Sequence, residues 1–165
     1  MRILCFGDSL TAGMTTGDRD YPPSAVLQRL QKKSTVVNQG LGGDRLEVFA
    51  RRLEEALKDQ KRMTRRKVDV VFLWGGANDL RCGRGAAACF SSLLECLSVC
   101  RAEEVTRVFV LTCLEMSCER AGHGNIGRER RAYNAMVKEG ADGASYDVVD
   151  VAGEIRYWRG GGGEG

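Results

Sequence analysis

Apolar positions along the chain follow two alternating rhythms. Five short runs are apolar at most positions: Arg2 to Phe6, Thr35 to Asn38, Val68 to Trp74, Arg107 to Cys113 and Tyr146 to Val151. Runs such as VDVVFLW and VFVLTCL predict β-strands covered on both faces, since a strand with one wet face alternates apolar with polar residues. Between the runs, apolar residues recur at helical spacing. A first helix is expected over about Pro23 to Lys32, with Val26, Leu27 and Leu30 as its apolar stripe. A second begins at Asp44, a suitable N-cap, and buries Leu46, Phe49, Ala50, Leu53 and Leu57. A third covers about Ala86 to Arg101 and a fourth about Gly127 to Glu139. Such regular alternation predicts an α/β fold with a five-stranded parallel sheet and helices on both faces. In sheets of this kind the ligand crevice lies beyond the carboxyl ends of the strands.

The polar, glycine-bearing segments fall at that edge. Gly7-Asp8-Ser9-Leu10 follows the first strand, Gly40-Leu41-Gly42-Gly43-Asp44 the second, and Gly75-Gly76-Ala77-Asn78-Asp79 the third. A sharp strand-to-helix turn would lift the Ser9 hydroxyl above the sheet, with backbone N–H groups nearby to meet an oxyanion. Gly43 stands at a helix start, where unshielded amides and the positive end of the helix dipole coincide. The Asn78 carboxamide is a neutral donor that reaches an anionic oxygen without titrating. Taken singly, each has a plainer explanation: a helix cap, a glycine turn and a turn asparagine. Three on one edge form a candidate site.

Together, the blocks around Ser9, Gly43 and Asn78 resemble those of the SGNH hydrolases, also called GDSL esterases or lipases, in order and spacing from Met1 to about Val151. The resemblance implies a flavodoxin-like three-layer α/β/α sandwich and a carboxylic ester hydrolase acting on a small acyl, lipid or carbohydrate ester. It implies Ser9 as catalytic nucleophile, with Gly43 and Asn78 as oxyanion-hole donors, and no metal or organic cofactor. RERRAYN, residues 128–134, resembles the stretch opening the family's helix after the fourth strand, with Tyr133 and Asn134 as recurring positions. Asp8 is expected to fix loops by hydrogen bonding.

One block has no counterpart. The family carries Asp-x-x-His after its fifth strand, the histidine taking the serine proton and the aspartate orienting it. Here YDVVDV runs on into Ala152 to Arg159 and a glycine-rich ending, with no such motif and no room for a last helix. The one histidine is His123, between Gly122 and Gly124 after the fourth strand. The magnitude matters: in subtilisin, loss of the histidine alone costs about 10⁶ in kcat, and the oxyanion hole with binding leaves about 10³ to 10⁴ over water. Three readings follow: a chain cut or frame-shifted short of its base, a remnant that binds an ester or acyl ligand without turnover, or a base supplied by His123 or another subunit.

Composition narrows the picture little. At 165 residues the chain suits one domain, over 1–159, and the glycine-rich 160–165 is expected to be disordered. A net charge of +3 argues neither for nor against an acidic partner; a nucleic-acid role would need a concentrated basic face, and no nucleic-acid partner is expected. The basic run Lys58 to Lys67 lacks interleaved aromatics and reads as a solvated helix end rather than an interaction patch. Seven cysteines without a C-x-x-C pair read as mostly small buried hydrophobes. No leader precedes the first strand and no apolar stretch nears the ~20 residues of a membrane span, so a cytoplasmic address is expected. Without a last helix one apolar sheet face would stand open, making an oligomer possible.

Overall fold

The computed structural model describes residues 1–14, 21–120 and 124–155. In chain order the elements are β1 (Arg2–Gly7), α1 (Ser9–Ala12), α2 (Pro23–Leu30), β2 (Thr35–Gly40), α3 (Leu46–Thr64), β3 (Val70–Trp74), α4 (Ala77–Arg81), α5 (Ala86–Ala102), β4 (Arg107–Leu111), α6 (Ser117–Arg120), α7 (Gly124–Glu139), β5 (Asp147–Val149) and α8 (Val151–Glu154). The five strands lie in the order β2-β1-β3-β4-β5, all parallel. In this doubly wound order the chain reverses direction across the sheet between β1 and β3, the switch point where such sheets open a crevice. Gly7 pairs with Gly40 on one side and with Trp74 on the other, so the ends of β1, β2 and β3 are level.

The two faces of the sheet are filled unequally. Leu4, Phe6, Val71, Leu73, Val108 and Val110 are buried in one core with Phe49, Leu53 and Leu57 of α3, Leu93 and Cys96 of α5, and Val137 of α7. On the opposite face, Cys5, Phe72, Trp74 and Leu111 border a cleft of about 530 Å³ beside Leu27 and Leu30 of α2. Phe72 and Phe109 stack there at 4.9 Å. The expected stripe of the first helix is therefore only partly buried: Val26 is 56 % and Leu30 74 % exposed, because α2 borders an open cleft.

Two boundaries differ from the sequence pattern for identifiable reasons. Asp44 does not cap α3; the cap position is Arg45, with no side-chain bond to the helix. The first-turn amide of Leu46 donates instead to Asp79 Oδ2 at 2.8 Å. The fourth strand ends at Leu111 rather than Cys113, since both polar groups of Cys113 leave the ladder for the Asn134 carboxamide, each at 2.8 Å. That bond gives Asn134 of α7 a structural task, and Tyr133 beside it is buried. The basic run lies on the exposed end of α3, where Lys58 pairs with Glu54 and Arg62 with Asp59. Residues 160–165 lie outside the described residues. Among those described, no helix is long and apolar enough to cross a membrane.

Candidate active site

Ser9 is the first residue of α1, immediately beyond β1. The cap is Asp8, whose Oδ1 accepts the Leu10 N–H at 2.9 Å, so Ser9 is not itself the helix cap. A Cβ at Gly7 would lie 2.1 Å from Thr11 Oγ1 and 2.2 Å from the Trp74 carbonyl, distances no side chain tolerates. Glycine there lets α1 fold back over the strand ends and stand Ser9 above them. The Ser9 hydroxyl is half-buried and has no hydrogen-bond partner among the described residues. Its N–H, at the first position of the helix, is also unpaired among them, because the Asp8 cap accepts from Leu10 instead.

The loop after β2 starts with the Leu41 N–H donating to the Gly7 carbonyl at 3.0 Å, which fastens it to β1. It turns through Gly43 at φ +77°, a left-handed conformation that favours glycine. Gly43 is exposed, its N–H makes no hydrogen bond among the described residues, and an added Cβ would meet nothing within 4 Å. After β3, Gly76 at φ +112° opens α4, which carries Asn78 and Asp79. Asn78 Nδ2 donates to the Asp44 carbonyl at 2.8 Å. A carboxamide nitrogen carries two hydrogens, so one is spent on this loop and one remains.

Asp79 is the residue that sequence reasoning missed. It is fully buried, its Oδ2 takes the Leu46 N–H, and its Oδ1 takes Arg84 at 3.0 Å. Neighbouring side chains of α4 therefore grip both ends of the short segment from Asp44 to Leu46. A buried aspartate between glycines and a helix reads in sequence as ordinary turn chemistry, and only its distant partners reveal the role. Asp8 is also buried, which pushes its carboxyl up to about 6; the charges of Asp44 and Asp79 add to the rise and the Leu10 N–H bond opposes it. His123, the candidate substitute base, lies outside the described residues.

No other nucleophile competes among the buried thiols. Burial pushes Cys5 up to about 11 and Cys89, Cys96, Cys100 and Cys113 up to about 12, which keeps them protonated and inert at neutral pH. Among the described residues no three His, Cys, Asp or Glu side chains are grouped to hold a metal ion.

The fold is shared with known proteins. The chain resembles the SGNH-hydrolase family esterase AlinE4, with a TM-score of 0.72 and 21% identity over 93% of this chain and 77% of that one. A member of the lipolytic protein G-D-S-L family from Veillonella parvula gives 0.71 and 20% over 90% and 76%. TesA gives 0.67 and 25% over 86% and 76%. No curated protein matches in sequence. Residues 5–163 match the family described as GDSL-like lipase/acylhydrolase. With nearly its whole length matched to that family, and with the parallel sheet of its structural neighbours, the chain belongs to the GDSL-like lipase/acylhydrolase family.

Proposed function

We propose that the chain is a serine ester hydrolase with Ser9 as nucleophile and with the N–H groups of Ser9 and Gly43 and the free hydrogen of Asn78 as its oxyanion donors. One observation carries the reading. Three loops at the level ends of β1, β2 and β3 are tied together through Leu41–Gly7 and Asn78–Asp44, and each still holds an uncommitted N–H donor. Uncommitted donors on a fastened frame are what stabilise a charge that forms only in the transition state, because nothing must reorganise as it appears.

In this reaction Ser9 Oγ adds to the acyl carbon while the carbonyl electron pair moves onto oxygen, where the three donors meet it. Collapse expels the alcohol and leaves an acyl ester on Ser9, which water cleaves to the acid and free serine. The hydroxyl proton passes to a base and from there to the departing alkoxide. His123 is the one imidazole in the sequence, and loss of turnover in His123→Ala would identify it as that base. The substrate class is an acyl, lipid or carbohydrate ester of small size.

Hydrolysis of p-nitrophenyl acetate by the protein and by Ser9→Ala tests the reading. Turnover lost in the variant supports it. Binding of an ester without turnover above the variant's background supports the second reading, a domain that keeps the oxyanion donors and holds its ligand unreacted. Equal turnover in both proteins contradicts Ser9 as nucleophile.

A further inference from the structure

The guanidinium of Arg52 joins the end of β1 and the end of β2 to the loop that follows β2. Its Nε donates to Asp44 Oδ2 at 2.6 Å, its Nη1 to the Gln39 carbonyl at 2.8 Å and its Nη2 to the Gly7 carbonyl at 2.8 Å. Gly7 ends β1, Gln39 is the penultimate residue of the adjacent β2, and Asp44 adjoins Gly43. The guanidinium carbon lies 3.9 Å from the centre of the Phe6 ring and 5.5 Å from that of Phe49. The side chain is 20% exposed and that of Asp44 8%.

None of these three acceptors belongs to α3, so the bonds do nothing for the helix that bears Arg52. They act on the strand ends and on the loop. The Gly7 carbonyl also takes the Leu41 N–H, so Arg52 grips the same atom that anchors the start of the glycine loop. At the other end of that loop it holds the Asp44 carboxylate, while Asn78 holds the Asp44 carbonyl. Only a planar group with several donors spans a carboxylate and two backbone carbonyls at once; an ammonium is a point charge that serves one direction well.

We propose that Arg52 is a positioning residue: it fixes the 40–46 loop against the end of β1, and so sets where the Gly43 N–H stands relative to Ser9. The catalytic meaning of that placement rests on the reading of Ser9, Gly43 and Asn78 given above. The fastening of the loop does not.

The test measures amide hydrogen exchange and ester hydrolysis on the full chain and on Arg52→Lys, which keeps the charge and the stem over Phe6 but loses the fork. Exchange at Leu41, Asp44 and Leu46 is expected to accelerate about tenfold or more while α5 and α7 keep their protection, as for a local opening. On the ester, kcat is expected to fall about ten- to a hundredfold with KM little changed, the signature of misplaced groups rather than lost binding. Asp44→Asn, which weakens only the loop end of the clamp, should reproduce the local exchange and keeps the test valid if an Arg52 variant folds poorly. Unchanged exchange in the loop would overturn the proposal. So would a rise shared equally by the loop, α5 and α7, since that marks a merely structural cation. If the unmodified protein turns over no ester, the proposed function fails, and the exchange measurement still decides whether Arg52 holds the loop.

Discussion

The loops after β2 and β3 and those after β4 and β5 meet the same edge of the sheet, yet they dispose of their hydrogen-bonding groups differently. On the β4–β5 side the groups satisfy one another. The Thr112 hydroxyl donates to Asp150 at 3.0 Å and accepts from the Ala152 N–H at 2.9 Å, its carbonyl takes the Trp74 indole, and Lys138 pairs with Asp150 at 2.5 Å. On the β2–β3 side the bonds hold backbone segments in place and leave donors over at Gly43 and Asn78, next to the one at Ser9 after β1. The first network is a fastening. The second is a fastening with spare capacity, and spare donors on a rigid frame are what a developing oxyanion needs.

The contrast predicts which substitutions reach chemistry and which reach only stability. The largest effect is expected from Asn78→Ala, which should lower kcat for ester hydrolysis by about 10² to 10³, the cost of one oxyanion donor, whereas Asp150→Ala should leave kcat within a few fold. Comparable losses in steady-state assays would erase the distinction between the two sides. Next, Asp79→Ala leaves Arg84 and the Leu46 N–H without their buried partner and should destabilise the protein by about 3 kcal/mol in urea unfolding. A cost below about 1 kcal/mol would mean the β2–β3 frame is not fastened as described.

Asp8 sharpens the contrast through pH. Its carboxyl has an ordinary value of 3.8 and stands at about 6 in the fold, so the folded chain holds this proton more tightly than the unfolded one. Its ionisation therefore destabilises the fold progressively as pH rises from about 4 to about 6, by up to about 3 kcal/mol, and no further above that. Asp8→Asn, which can still accept from the Leu10 N–H, should gain on the parent across that window and match it at lower pH in unfolding measured from pH 3.5 to 8. Asp150 has the opposite sign. Its hydrogen bond with Lys138 holds its carboxyl below the ordinary value, so its contribution is present above pH 3.8 and is lost as pH falls through its folded value. Being partly exposed, the pair is worth less than about 1 kcal/mol, the smallest effect expected here.

Much of this was legible in the sequence. Continuous apolar runs revealed the strands and their parallel packing, and the glycine-bearing loops after the first three revealed the edge where Ser9, Gly43 and Asn78 lie. Local pattern failed where a distant partner decides. Asp44 reads as a helix cap because caps are local, but its carboxylate goes to Arg52, eight residues along the chain, and the Leu46 amide goes to Asp79, thirty-three away. Val26 and Leu30 read as a buried stripe because periodicity records which side of a helix is apolar, without recording whether anything covers it. Arg52 itself sits in a charged stretch of α3, where spacing alone gives no reason to single it out.

The convergence of Ser9, Gly43 and Asn78 on one reacting centre is tested most directly by a crystal structure of the protein carrying a small alkyl phosphonate on its reactive serine. The account predicts the adduct on Ser9 Oγ, with the phosphoryl oxygen about 2.7 to 3.1 Å from both the Gly43 amide and Asn78 Nδ2. An adduct on another residue, or on Ser9 with that oxygen turned away from both donors, would contradict it.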